Sequence, residues 1–240
     1  MDVNQTPLRV LSGLALRTVL LDSVNPAFEA EYGVHIDAVF DPTTILMEHI
    51  RAGEHADVLI GTESGVAALA TEGVLDGSTT TAVATSSIGY AVPPSHTPQL
   101  FEDADQFLDF ALAARSVAYT RTGASGIHFS SVLERYGVAA DLNARATVLD
   151  SGFTAEALLD GRADLAIQQL SELAAVPGIR IVGPLPEELQ SYARFAAAAS
   201  TEPHGLATRF LAALCGPDAR RAYEAIGLHL PAAESDPRPS

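Results

Sequence analysis

From Leu8 to Leu75 the apolar positions switch back and forth between a two-residue and a helical period. Leu8 to Leu11 is a short apolar run that predicts a strand, and apolar residues at helical spacing from about Leu16 to Tyr32 predict a helix stopped by Gly33. Val34 to Phe40 alternates and predicts a second strand; Ile45, Leu46, His49 and Ile50 then mark a helix closed by Gly53. Ala56 to Gly61 predicts a short buried strand, followed by a helix from Ser64 to about Thr71. Strand-helix-strand units with short connections imply a parallel sheet flanked by helices.

Beyond Leu75 the texture changes. Gly77 to Ser87 is rich in Ser, Thr and Ala and is expected to cross between lobes, leading into a strand at Ile88 to Val92. A second alternating set follows: a helix at 104–114, a strand at 116–119, a helix carrying Phe129, Val132, Leu133 and Tyr136, a strand at 146–149, a helix at 154–160 and a strand at 164–169. Ile179 to Val182 and Tyr192 to Ala198 are expected as later strands, the second returning to the first lobe, with helices at 203–214 and 217–226 packed on that lobe. The expected division is residues 1–85 plus 195–240 as lobe I and 86–194 as lobe II, with 233–240 as a frayed tail.

The stretch Ser116 to Phe129 is where chemistry is most expected. An apolar run breaks at Thr120-Arg121-Thr122-Gly123-Ala124-Ser125-Gly126, and a helix begins. Such a turn aims backbone N–H groups and short hydroxyls out of the strand's carboxyl edge, beside the positive end of a helix dipole, which suits a carboxylate or oxyanion. A plain strand-to-helix connection with Ser125 as its cap is the competing expectation.

Composition narrows the partners. With 48% hydrophobic and 18% charged residues, the chain has an ordinary globular composition. Its 14 Lys and Arg against 30 Asp and Glu leave a formal charge of −16, which argues against nucleic acid or an anionic membrane while leaving room for a small anion held locally. Cys215 stands alone, so neither an internal disulfide nor a Cys-based zinc site is expected, and the histidines show no metal-ligand spacing. Met1 to Pro7 is acidic and polar rather than a secretion signal, from which a cytoplasmic location is expected, and no apolar run reaches the ~20 residues of a membrane span.

Leu8-Arg9-Val10-Leu11-Ser12-Gly13, the run Arg51-Ala52-Gly53-Glu54-His55-Ala56-Asp57-Val58-Leu59-Ile60 and the turn Ala124-Ser125-Gly126-Ile127 resemble the molybdate-binding branch of the type II periplasmic solute-binding proteins, over about Leu8 to His229. The resemblance implies an α/β fold of two lobes, each a mainly parallel sheet flanked by helices, joined by a two-strand hinge with a ligand closed between them. It also implies a molybdate site that survives only in part: its first serine falls at Ala15, its second at Thr43, its backbone donor at Ser125, and its tyrosine close to Gln169.

A narrower similarity, carried by Ser116 to Tyr119, Ala124-Ser125-Gly126, Gln168-Gln169-Leu170-Ser171-Glu172-Leu173, Val176-Pro177-Gly178, Val182 to Pro186 and Leu189-Gln190-Ser191, is to the branch containing aconitate isomerase. That resemblance implies an isomerase of a small di- or tricarboxylate, expected in the cytoplasm from the amino terminus; shifting a proton along an allylic system needs in principle neither a metal nor an organic cofactor. The alternative is a non-catalytic anion-binding protein, serving a transporter permease or acting as a sensor. The proton transfer would need a base titrating near working pH, with His128 and Glu172 as candidates; the competing expectations are that Glu172 caps a short helix and that His128 is a core or surface histidine. Arg121 and Arg194 are candidate carboxylate clamps, with surface salt bridges as the other use. Ser12, beside Gly13, and Thr43 and Thr44 are candidate donors from lobe I or else helix caps; Ser125 and Gly126 offer backbone N–H groups; Gln168 and Gln169 end an apolar strand and would be satisfied by a ligand or by hinge hydrogen bonds.

Overall fold

The computed structural model describes residues 6–229, so the expected tail at 233–240 lies outside the described residues. β1 (Leu8–Ser12) leads through a tight turn at Leu14–Leu16 into a helix built in pieces: α1 (Arg17–Val19), a π turn at Leu20–Val24 and α2 (Asn25–Tyr32). The sequence predicts one regular helix here. Pro26, in the first turn of α2, has no N–H to give the preceding turn and its ring crowds that turn's carbonyl, which the wider π geometry accommodates. Gly33 stops α2 at φ +65°. β2 (Ile36–Phe40), α3 (Thr43–Arg51), β3 (Val58–Thr62) and α4 (Glu63–Thr71) follow as expected, with β1 pairing in parallel with both β2 and β3.

The Ser/Thr/Ala-rich stretch is not a loose crossing. After a short turn at Gly77–Thr79 it is, from Thr81, the first half of one long strand, β4 (Thr81–Val92), because Val83, Ala84, Ser86 and Ser87 are small enough to be buried in a sheet interior. Then come α5 (Ala104–Ala113), β5 (Val117–Thr120), α6 (Ala124–Arg135), the unexpected short α7 (Ala139–Asn143), β6 (Thr147–Leu149), α8 (Glu156–Leu159), β7 (Leu165–Gln169), α9 (Leu170–Ala174) and β8 (Arg180–Pro184). β9 (Tyr192–Ala199) returns, and α10 (Ala207–Leu214) and α11 (Pro217–Ala225) close the described chain.

The strands run in the order β2-β1-β3-β9-β4-β7-β5-β6, with β8 also on β4. β4 and β9 join the halves: β4 pairs with β9 from Thr81 to Ser87, then with β7 and β8 from Ile88 onward. At the changeover the Gln190 amide takes the Ile88 N–H at 2.8 Å and donates to the Ile88 carbonyl at 3.0 Å, standing in for a strand partner. Two sets of buried clusters flank this link. One gathers Leu8, Leu16, Phe28 and Ile60 with Phe195, Phe210 and Tyr223; the other gathers Tyr90, Phe107, Val117, Phe129, Leu133, Leu165 and Leu189. On α6 the apolar stripe Phe129, Val132 and Leu133 is fully buried, each side chain contributing about 1.5–3 kcal/mol.

That stripe can seat α6 close to β5 only because Gly126 has no side chain: a Cβ there would stand 1.7 Å from the Thr120 carbonyl oxygen. Gly126→Ala is therefore expected to destabilise the protein by about 1–3 kcal/mol, the usual range for overpacking, measured as a lower midpoint in urea unfolding.

Candidate functional site

Five strands end at one gap between the lobes. A cavity of about 450 Å³ is walled by the segments that follow them: Gly13 to Ala15 after β1, Pro42 to Thr44 after β2, Thr62 and Ser64 after β3, Thr120 to Ala124 after β5 with Ile127 and His128 beyond, and Gln168, Gln169 and Glu172 at the end of β7. Clefts outside the carboxyl ends of parallel strands are where open α/β sheets take ligands. This one is within the size range of small-molecule sites.

Backbone donors dominate it. α6 has Gly123 as its N-cap with no side-chain cap, and the N–H groups of Ala124, Ser125 and Gly126 find no acceptor among the described residues. The expected Ser125 cap is thus corrected; Gly123, free of a side chain, fits closer to Thr120 than Ser125 could. α3 begins after Pro42 without a side-chain cap, and the turn at Leu14–Leu16 also lacks one. Several helix starts therefore point partial positive charge into the same space. Thr120 lines the cavity and is 1% exposed, and its hydroxyl, buried beneath Gly123 and Gly126, has no partner among the described residues, which costs about 1–3 kcal/mol. Leu14, Ala15, Pro42, Ile127 and Phe195 supply apolar wall.

Two lining side chains carry acid–base groups: His128 and Glu172. The His128 Nε2 lies 2.9 Å from the Leu189 carbonyl, which can only accept, so Nε2 carries the hydrogen in the neutral ring and Nδ1 is left as its acceptor. Glu172 opens α9 in a capping box with Gln169, its carboxylate accepting the Gln169 N–H at 3.2 Å. Burial pushes its carboxyl up to about 7, against the pull of that N–H and of the Gln168 amide. What surface it keeps opens into the cavity.

Gly13, Thr43, Thr44, His128, Gln168, Gln169 and Glu172 are thus brought together, but several are already engaged. The Gln168 Oε1 accepts from the Thr154 N–H and hydroxyl at 2.7 and 2.9 Å, and its Nε2 donates to the Gly152 carbonyl at 2.9 Å, so its partners lie within lobe II rather than at the hinge. Thr43 Oγ1 accepts the Thr62 N–H at 3.0 Å. Thr44 Oγ1 donates to the Thr122 carbonyl at 2.9 Å, a bond from one lobe to the other across the cavity mouth. A second bridge lies at Arg17, whose guanidinium sits over Phe40 of lobe I and Phe153 of lobe II, at 5.8 and 5.9 Å.

Other expected residues are not on the wall. Ser12 is fully buried, its hydroxyl turned back to the Gly13 carbonyl. Ser125 and Gly126, in the first turn of α6, are buried against the end of β5. Arg121 points outward to pair with Asp150 at 3.0 Å, both side chains largely exposed. Arg194 is exposed and lines a neighbouring cavity instead. Sequence reasoning missed Thr62 and Ser64 as wall residues, although Gly61-Thr62-Glu63-Ser64 repeats at the end of β3 the small-residue pattern singled out after β5, whose Thr120 and Thr122 do line the wall.

The sequence pattern of the bacterial extracellular solute-binding protein family matches residues 8–229, and the chain belongs to that family. It is 31% identical over 231 residues, 93% of this chain and 87% of the relative, to a protein named aconitate isomerase from Pseudomonas sp. In fold it is similar to the periplasmic molybdate-binding protein of Azotobacter vinelandii, with a TM-score of 0.78 at 19% identity over 94% of this chain and 100% of that one. A periplasmic thiamin binding protein gives a TM-score of 0.73 at 15% identity over 99% of this chain and 87% of its own. The two-lobed type II solute-binding fold is thereby shown.

A carboxyl raised by burial binds more protons folded than unfolded. The stability this contributes is full below the ordinary carboxyl value of 4.5 and is lost as pH rises through about 7. Thermal unfolding midpoints of the wild type should fall across that window, and Glu172→Gln should flatten the fall.

Proposed function

We propose that the protein is an isomerase of a small unsaturated polycarboxylate, interconverting cis and trans forms of an aconitate-like acid by a 1,3-allylic proton shift in the interlobe cleft. The observation that carries this reading is Glu172, a carboxyl raised to about 7 on the wall of a cavity rich in backbone donors. At neutral pH it is near half ionised, where a general base is most useful. The relative named aconitate isomerase, at 31% identity over most of both chains, supports the same class.

The chemistry runs as follows. A carboxylate of the substrate sits against the Ala124 N–H, with the facing amides of Leu14, Ala15 and Thr44 opposite. Glu172 removes a proton from the methylene beside one carboxylate; the electron pair moves into the adjoining C–C bond as the double bond shifts by one position. The transient negative charge is spread over the flanking carboxylate, which the oriented amides stabilise. The proton returns to the far allylic carbon, from Glu172 or from His128, whose Nδ1 is the ring's acceptor. The cis or trans outcome is set by the conformation held about the methylene–carbon bond that becomes double. No electrons leave or enter, so the proposal calls for no oxidant or reductant. The apolar wall of Leu14, Ile127 and Phe195 suits the carbon skeleton and excludes water from it. A cavity of about 450 Å³ is far larger than a five-atom oxyanion, which weighs against molybdate.

A second reading is a non-catalytic anion receptor with a transporter permease as partner, favoured by the extracellular solute-binding family to which the chain belongs. Incubation with cis-aconitate in heavy water separates the two. Proton NMR should record the trans isomer with deuterium entering an allylic carbon, whereas tight binding without exchange sinks the isomerase. Glu172→Gln should lower kcat by 10²-fold or more, the usual scale for losing a general base. The kcat/KM profile should rise with pH to a plateau above about 7, as Glu172 ionises, and the limb in kcat should lie higher, because a bound polyanion holds the carboxyl protonated longer.

A further inference from the structure

Beside the main cleft lies a second cavity of about 300 Å³ that shares Thr62, Ser64, Ala124 and Gln169 with it. It forms because β9 outruns β3. The last β3 pairing is Thr62 with Phe195, whereas Tyr192 to Arg194 pair only with β4, so the sheet has an open edge there. Arg194 lines this opening and takes part in no ion pair among the described residues. In the main cleft no lining residue is a lysine or arginine. A ligand with several carboxylates therefore meets amide donors in the main cleft and a guanidinium, that of Arg194, in the adjoining one.

We infer that the adjoining cavity is a second anion subsite, in which Arg194 and the Ser64 hydroxyl hold a carboxylate remote from the reacting carbons, so that the cleft selects tricarboxylates over dicarboxylates. This rests on the polycarboxylate reading above and adds to it the group that counts the charges. A planar guanidinium can meet a carboxylate with two parallel N–H donors, a match that a compact ammonium lacks. Glu63, from the first turn of α4, lines the same cavity and opposes an incoming anion, which gives the subsite a second handle of opposite sign.

Isothermal titration with two unreactive probes, propane-1,2,3-tricarboxylate and glutarate, tests this on the wild type, Arg194→Gln, Arg194→Lys and Glu63→Gln. The wild type should prefer the tricarboxylate. Arg194→Gln should weaken it by about tenfold or more, the scale of a lost charge-assisted hydrogen bond, with a much smaller effect on glutarate. Arg194→Lys should recover part of the loss, and Glu63→Gln should bind the tricarboxylate more tightly than the wild type. If the wild type binds the tricarboxylate and Arg194→Gln binds it equally well, the subsite is overturned while the isomerase reading stands. If the wild type binds neither acid, the polycarboxylate reading falls and the subsite falls with it.

Discussion

The structure depends on backbone amides that secondary structure leaves unpaired. β1, β2, β3 and β5 each hand over to a helical turn at the same edge, and the first N–H groups of those turns have no acceptor within their own helices. Two lobes bring these edges face to face, so the unpaired donors share one cavity. A chain with a formal charge of −16 repels anions at a distance, yet screening confines that repulsion to about 10 Å at ordinary salt. Inside the gap, fixed dipoles act at contact range, which is how the proposed anion would be held against that net charge.

The same arrangement explains where titration happens. Glu172 is held by the capping box that starts α9, which places a carboxyl among amide donors while burial strips its water away. The two influences oppose each other, and burial wins, leaving a carboxyl that changes state near neutrality. A group that costs stability to keep ionised is retained at the cavity wall, which is the pattern expected of a working acid or base rather than of a structural cap alone. The continuous strands β4 and β9, with Gln190 bridging Ile88, fix how the lobes meet, and the Thr44 to Thr122 bond and the Arg17 stack tie them on the cavity side.

Much of the fold is legible in the sequence because it rests on local periodicity. The Ile45-Leu46-Ile50 spacing, the alternation through Phe40 and the stops at Gly33 and Gly53 each carry their own signal. β4 was harder to see: its first half is held by pairing with β9 more than a hundred residues away, and Thr, Ser and Ala carry no apolar period to announce it. The site follows the same rule. Residues at strand ends, such as Thr43 and Glu172, could be placed from the chain order alone. Direction could not: Arg121 sits in the expected turn yet faces Asp150, and Ser125 lies in the helix start yet is buried, because side-chain direction is set by tertiary packing around Thr120 and Gly126.

The central claim is that an anion is received by amides at these strand ends. Titration of uniformly ¹⁵N-labelled protein with propane-1,2,3-tricarboxylate, followed by amide proton-nitrogen NMR, tests it most directly. The account predicts that the largest shift changes fall on Leu14, Ala15, Thr44 and Ala124. Changes confined to the outward arginine surfaces near Arg121, Arg162 and Arg221, with those four amides unmoved at saturation, would contradict it.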